Sequence, residues 1–228
     1  PLTLIAAPVN QLAESNKLGE NERFLLNIIQ KNVTVLLRLI NQILDFRKFE
    51  NGKLSMTLSR FDISENIKDW TDAFRTLSYR KHIHFTVSVE PSEEGYVMIA
   101  DAEKMERITY NLLSNAFKFT PEGGRVTVMV EHIQEDIDVI EIKVADTGVG
   151  ISDADKEHIF DRFYQTENKE NVDATSGTGI GLSLVHDFVA LHGGDVTVFD
   201  NIGKGAVFVV HIPVKHVDVQ YHPANSMP

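Results

Sequence analysis

The chain has 228 residues, with 22 Lys and Arg against 33 Asp and Glu, and no cysteine. That length holds one sizeable domain plus an appendage, and a net charge of −11 excludes nucleic-acid contact as the primary role. With no cysteine there are no disulfides and no thiolate zinc site; no run of 18 apolar residues and no signal-peptide pattern occur, so a soluble chain without membrane contact is expected.

Residues 2–14 are helix-compatible, with Pro8 as a kink, and residues 16–21 form a polar turn. Asn21 to Phe49 reads as one long helix of about 43 Å. Phe24, Ile28, Val35, Leu39, Gln42 and Phe46 lie near one seam, and Leu25, Ile29, Leu36, Ile40 and Ile43 lie beside it. So wide an apolar face predicts an antiparallel hairpin that pairs with a second copy into a four-helix bundle. Asn51-Gly52 breaks the helix, and Lys53–Phe61 alternates as a strand. Asp62 caps a helix to about Tyr79, with Ile67, Trp70, Phe74 and Leu77 inward. Strands follow at Ile83–Glu90 and Tyr96–Ala100.

Asp101 to Thr120 reads as a helix capped by Asp101 and ended by Pro121 and Gly123-Gly124. Met105, Ile108, Leu112, Ala116 and Phe119 form its apolar stripe, and Lys104, Arg107, Asn111, Asn115 and Lys118 form a second, polar stripe. The polar stripe is either a solvated face or a magnesium-phosphate site, because a carboxamide oxygen is a hard neutral ligand for Mg²⁺. Arg125–Gln134 and Ile137–Ala145 read as a hairpin, as do Asp195–Asp200 and Ala206–Pro213 across Gly203-Lys204-Gly205. Ser152–Phe160 and Ile180–His192 read as helices. This mixture without strict alternation predicts an α+β fold, a mixed sheet with helices on one face.

Asp146-Thr147-Gly148-Val149-Gly150-Ile151 follows a strand. Its glycines allow a tight turn close to a flat ligand, and a carboxylate in an apolar pocket can accept a hydrogen bond from an exocyclic amine such as that of adenine. An ordinary Asp turn is the other reading. An aspartic-protease reading fails because that chemistry needs two such carboxylates and the chain has one copy of Asp-Thr-Gly. Gly177-Thr178-Gly179-Ile180-Gly181-Leu182 opens a helix and offers amides to an anion. It is neither a P-loop nor a dinucleotide fingerprint. The polar, aperiodic stretch from Tyr164 to Ser176 has the length of a functional lid. In Phe160-Asp161-Arg162-Phe163-Tyr164 the aromatics suit hinge packing, and Arg162 suits a terminal phosphate. None of the nine histidines is spaced for zinc or assigned a catalytic role.

In this order the segments N-L-L-S-N-A-F-K-F-T, D-T-G-V-G-I, F-D-R-F-Y, G-T-G-I-G-L-S-L and G-K-G-A-V-F resemble the asparagine, glycine and phenylalanine boxes of bacterial sensor histidine kinases. The resemblance covers Pro1 to about Pro213. It implies a Bergerat-type ATP-binding sandwich over residues 51–215, a dimerisation and phosphotransfer hairpin over 1–50, and a linker or tail over 216–228. It further implies a homodimer, the cofactors ATP and Mg²⁺, and a response-regulator receiver domain as partner. The chain is then the cytoplasmic portion of an inner-membrane sensor. By matching positions, Asn115 holds Mg²⁺ with Asn111 beside it, and Lys118 and Arg162 contact phosphates. Asp146 reads the adenine amine. Gly148, Gly150, Ile151, Tyr164, Gly177, Thr178, Gly179, Gly181 and Leu182 line the nucleotide. D-F-R-K-F-E-N-G-K-L and the C-terminus look like those of hybrid kinases.

Two departures bear on function. Pro1-Leu2-Thr3 looks like the tail of the family's H-E-x-R-T-P-L-T, so the phospho-acceptor His is expected upstream and the fragment is not expected to phosphorylate itself there. Ala206 stands where the family often has Thr. The related gyrase, chaperone and mismatch-repair ATPases resemble one another in placing Glu, as general base, where this chain has Asn111. A carboxamide cannot take a proton from water, so hydrolysis is expected to be slow. The missing Glu also argues against an anti-sigma serine kinase. A non-catalytic nucleotide-binding dimerisation module and a hydrolytic ATPase are the alternatives.

Overall fold

A computed structural model describes residues 55–90, 96–134, 138–166 and 179–214, with Gly19 and a set of helical positions between 21 and 47. The expectations for residues 1–18 and 48–54, for most of the hairpin, for Gly177, Thr178 and the lid, and for the tail lie outside these residues. The chain divides into two compact units, Pro1–Ser55 and Met56–Pro228. In the first, the described helical positions include Phe24, Leu25, Ile28, Ile29, Leu36, Ile40 and Leu44, all exposed, while Val33 is buried.

The second unit is built from β1 (Ser59–Asp62), α1 (Ile63–Lys81), β2 (His84–Val89), β3 (Val97–Ala100), α2 (Ala102–Phe119), β4 (Arg125–Ile133), β5 (Val139–Asp146), α3 (Asp153–Lys156), α4 (Gly181–Leu191), β6 (Asp195–Asp200) and β7 (Ala206–Pro213). Five strands form one sheet in the order β2-β4-β5-β7-β6, and β1 pairs with β3 separately. The β2–β4 pair is parallel and the other pairs are antiparallel, so the sheet is mixed. Alternation puts Val126, Val128, Val130, Ile140, Ile142, Val144, Val210 and Ile212 on one buried face. Helices α1, α2 and α4 pack there, giving the two-layer α+β sandwich expected from sequence.

Helix α1 is capped by Asp62, whose Oδ1 accepts from Ser64 N at 2.8 Å, and it ends at left-handed His82. It buries Ile63, Ile67, Thr71, Phe74 and Ser78, whereas Trp70 and Leu77 are only half-buried. Phe117 of α2 stacks on Phe74 at 5.4 Å and meets Phe85 edge-on at 5.2 Å. Phe117 therefore belongs to the core, and Phe119, expected there, is half-buried. The apolar stripe of α2 is two rows wide: Met105, Ile108, Leu112 and Ala116 beside Thr109, Leu113 and Phe117. Each large side chain so buried contributes about 1.5–3 kcal/mol.

Two expected elements are shorter than predicted. Residues 55–58 are not strand, because the partner β3 has only four residues to pair with β1. The helix expected over Ser152–Phe160 stops at Lys156 and buries none of its residues, so little holds a longer helix in place.

On the face of the sheet away from the helices, Glu131, Glu141, His211 and Asp195 form one lateral row across β4, β5, β7 and β6. His211 Nε2 lies 2.8 Å from Glu141 and Nδ1 lies 3.2 Å from Asp195, while Lys143 bridges to Glu131 at 3.1 Å. Burial pushes the His211 pKa down, but the bonds to Glu141 and Asp195 outweigh it and leave the pKa above the ordinary 6.5. A pKa raised on folding stabilises the fold fully below the unfolded value and loses that contribution as pH rises through the folded value. The thermal midpoint of the wild type should thus exceed that of His211→Gln most at about pH 6, with the gap shrinking by about pH 9. A gap that does not vary over that range would count against the charged row.

At the β6–β7 turn, Gly205 has φ +110°, and a Cβ there would lie 2.0 Å from the Asp146 carbonyl oxygen. Gly203 has φ +86° with open space around it. In urea unfolding, Gly203→Ala should cost about 1–2 kcal/mol of backbone strain. Gly205→Ala should cost more, since strain and displacement of Asp146 add. Equal costs would mean that the close approach carries no weight.

Candidate functional site

The polar stripe of α2 is not a solvated face. Lys104, Arg107, Asn111, Asn115 and Lys118 are all half-buried, while Glu103, Glu106 and Tyr110 are exposed. What shields the stripe in its middle is α4. A Cβ on Gly181 would lie 3.3 Å from Asn111 Oδ1, so glycine lets the first turn of α4 approach that carboxamide. Asn111 Nδ2 donates to the Arg107 carbonyl at 2.9 Å, which leaves Oδ1 on the α4 side. Asn115, one turn on, is half-buried on the same stripe, and its carboxamide oxygen is of the kind that can bind a cation. Lys118 Nζ lies 4.8 Å from the Phe119 ring centroid.

The N-terminus of α4 has no side-chain cap and no acidic residue in its first turn. The cap position is held by Ile180, which has no side-chain acceptor, and the Ser183 hydroxyl in the first turn donates to the Ile180 carbonyl at 2.9 Å. The first amides of α4 therefore face outward with a partial positive charge, beside Gly181 and Leu182. Among the described residues no group of three or more His, Asp or Glu could hold a metal alone. A magnesium ion suits this donor set only if a phosphate supplies further oxygens.

The other end of the site is Asp146, at the end of β5 and only 6% exposed. Its Oδ1 accepts from Gly148 N at 2.8 Å and more weakly from Ala206 N at 3.4 Å. Burial raises its pKa, and those two amides partly offset the rise. Gly148 is buried, and a Cβ there would lie 2.5 Å from the Phe119 carbonyl oxygen. Gly150, with φ +79°, would place a Cβ 3.5 Å from the Gly205 carbonyl oxygen, next to half-buried Ile151. The Asp-Thr-Gly turn is thereby held between the C-terminal end of α2 and the β6–β7 turn. Asn201 locks it from that turn, donating from Nδ2 to the Asp146 carbonyl at 2.7 Å. Sequence reasoning missed Asn201. The sign of it was an Asn at the start of a glycine turn, here folded so that Oδ1 accepts from Ile202 N.

The remaining predicted residues lie on the segment after α3. Phe163 has φ +63°, and its amide donates to the Gly179 carbonyl at 2.9 Å. Gly179, at φ +69°, would place a Cβ 2.5 Å from the Phe163 carbonyl carbon, so this crossing needs glycine. Phe160 packs edge-on against Phe208. Tyr164 donates to Asp155 at 2.7 Å, and Arg162 pairs with buried Asp187 of α4 at 3.5 Å. The structure thus brings Asn111, Gly181 and Leu182 together at one end and Asp146, Gly148, Gly150 and Ile151 at the other. The Arg162 ion pair runs to α4 and the Tyr164 hydroxyl bond to α3.

Residues 100–216 match the model of the histidine kinase-, DNA gyrase B- and HSP90-like ATPase family. The chain is 37% identical to hybrid signal transduction histidine kinase D of Dictyostelium discoideum over 94% of its own length and 14% of that protein. Among solved structures, the catalytic domain of histidine kinase ThkA superposes with a TM-score of 0.60 at 26% identity, over 70% of this chain and 99% of that one. Full-length ShkA in complex with AMPPNP gives 0.72 at 27% identity, over 95% and 46%. The chain spans well under two thirds of the curated relatives it matches. With the mixed sheet, the Asn-bearing helix and the buried Asp turn in place, the chain belongs to the histidine kinase-, DNA gyrase B- and HSP90-like ATPase family, as a sensor-histidine-kinase member.

Proposed function

We propose that this chain is the ATP-binding catalytic core of a two-component sensor kinase. It transfers the γ-phosphoryl group of ATP to a histidine ahead of Pro1, for relay to a response-regulator aspartate. The observation that carries the reading is the opposition of the Asn111–Asn115 face of α2 to the uncapped N-terminus of α4. That opposition suits a polyphosphate, and buried Asp146 suits the exocyclic amine of adenine at the far end. The AMPPNP bound by ShkA supports the same ligand class here.

In this reading Asn115 holds Mg²⁺ through Oδ1, with phosphate oxygens and water completing the shell. When bound, the ion neutralises charge on the transferring group. Asn111, Lys118, Gly177, Thr178, Gly179, Gly181 and Leu182 orient the phosphates, with Arg162 released from Asp187 to join them. Gly148, Gly150, Ile151 and Tyr164 border the base. Residues 51–215 then form the catalytic domain, 1–50 the dimerisation hairpin and 216–228 a linker. The exposed apolar side chains from Phe24 to Leu44 suit a homodimer, since burying them needs a partner. A receiver domain, in the same or another chain, takes the phosphoryl group, and the whole is the cytoplasmic part of a membrane sensor. Positioning and charge neutralisation are the chemistry asked of this domain.

The deciding experiment supplies labelled Mg-ATP to this chain alone, and to this chain mixed with a longer version that carries the upstream motif and Asn115→Ala. Acid-labile label on the longer chain alone is expected. Label on this chain by itself would defeat the upstream acceptor, and steady phosphate release would favour a hydrolytic ATPase. In calorimetry, Asp146→Asn should weaken ATP binding about tenfold or more through loss of a buried charged acceptor. Asn115→Ala should remove the gain in affinity that Mg²⁺ brings. Magnesium-independent binding by the wild type would favour a non-catalytic module.

A further inference from the structure

His192, just past α4, is 2% exposed and joins that helix to the start of α2. Its Nε2 lies 3.1 Å from the backbone N of Asp101, and its Nδ1 lies 2.7 Å from the Phe188 carbonyl oxygen. A backbone N–H can only donate and a backbone carbonyl can only accept. Nε2 must therefore carry the lone pair and Nδ1 the hydrogen, which identifies the neutral Nδ1–H tautomer. A protonated ring would set two donors against each other at Asp101.

Asp101 itself is a buried junction. Its Oδ1 accepts from Lys104 N, and its Oδ2 accepts from Lys104 Nζ at 2.6 Å and from Thr57 N at 2.8 Å. The histidine bond thus ties α4 to the capping residue of the Asn helix, on the same junction that holds Thr57, ahead of β1. At the other end of the same helix pair, Gly181 abuts Asn111. Asp101 to Asn111 spans about 15 Å of helix and Gly181 to His192 about 16 Å, so the antiparallel helices are matched in length between these two contacts.

We propose that His192, as the neutral Nδ1–H imidazole, is a positioning residue that sets the axial register of α2 against α4. It thereby sets the gap between the Asn111–Asn115 face and the amides of the α4 N-terminus. Side-chain packing between two helices resists sliding weakly along the ridges, whereas a directed bond to a backbone amide fixes the position along the axis. The inference deepens the functional reading and rests on it. A shift of α4 along α2 alters the phosphate and metal end of the site, while the Asp146 end, held by Gly148, Ala206 and Asn201 and by the end of α2, stays as it is.

That asymmetry gives the test. Binding of Mg-ATP by calorimetry and of adenosine by NMR titration would be compared in the full chain and in three variants. His192→Leu removes both bonds. His192→Gln can place an amide oxygen where Nε2 accepts, and His192→Asn can place an amide only where Nδ1 donates. His192→Leu and His192→Asn are expected to weaken Mg-ATP roughly tenfold or more while leaving adenosine within about twofold, since sub-ångström placement governs the phosphate contacts. His192→Gln is expected to restore Mg-ATP binding to within about twofold of the wild type. If the Leu variant fails to fold, the contrast between Gln and Asn carries the test. Equal losses for Mg-ATP and adenosine, or a Gln variant no better than Asn, would overturn the positioning role. A wild type that binds no Mg-ATP overturns the functional reading instead.

Discussion

A helix with two working faces must be held against rotation about its own axis. In α2 the apolar rows and the carboxamide stripe lie on neighbouring sectors, and each residue turns the helix by about 100°. A slip of one residue would drive Asn111 into the buried place of Leu112 and bring Tyr110 to the cleft. Burial of Met105, Ile108, Leu112, Leu113 and Phe117 against the sheet sets the rotation strongly, because each costs about 1.5–3 kcal/mol to expose. Position along the axis is set by polar contacts instead: Thr57 and His192, both bonded to Asp101. Hydrophobic burial orients the carboxamide face, and hydrogen bonds locate it.

The far end of the site obeys a different economy. An ionised carboxylate buried like Asp146 is costly, and the two amides on Oδ1 recover only part of that cost, as the direction of its pKa shows. Such a group persists because the surrounding backbone holds it there. Gly148 and Gly205 bring three segments closer than any Cβ allows, and Asn201 clamps the Asp146 carbonyl. Burial leaves the carboxylate a strong acceptor for a neutral N–H donor, and the close glycine contacts leave room for a flat one.

Local signals made most of the fold legible. Asp62 and Asp101 announced their helices, and alternation announced the sheet strands, because caps and pleats are written within a few residues. The errors came where a distant partner decides. Only part of the expected first strand pairs, since β3 is short. Phe117 displaced Phe119 from the core because the apolar stripe is two rows wide, with Phe74 and Phe85 waiting on the far row. The candidate residues of α2 and the Asp turn were legible as motifs. The bonds that position them were not, since Asn201 reaches Asp146 across 55 positions and His192 reaches Asp101 across 91. Both bonds use backbone atoms of the partner, which leave no mark in a sequence.

The geometry at Asn111 bears on what the site does with a polyphosphate. Its Nδ2 is committed to the Arg107 carbonyl, and its Oδ1 lies against the first turn of α4. So held, the carboxamide is neither basic nor free to turn towards a water. In the related ATPases that hydrolyse, the resemblance places a Glu here, whose carboxylate can accept a proton. Beside the uncapped α4 amides, a Glu in this chain would also be drawn to the helix N-terminus and compete with phosphate for the same positive field. Asparagine avoids both outcomes. Under the proposed function, it leaves the anion site to the nucleotide and the γ-phosphoryl group without an activated water, so that a nucleophile brought from outside the site decides where that group goes.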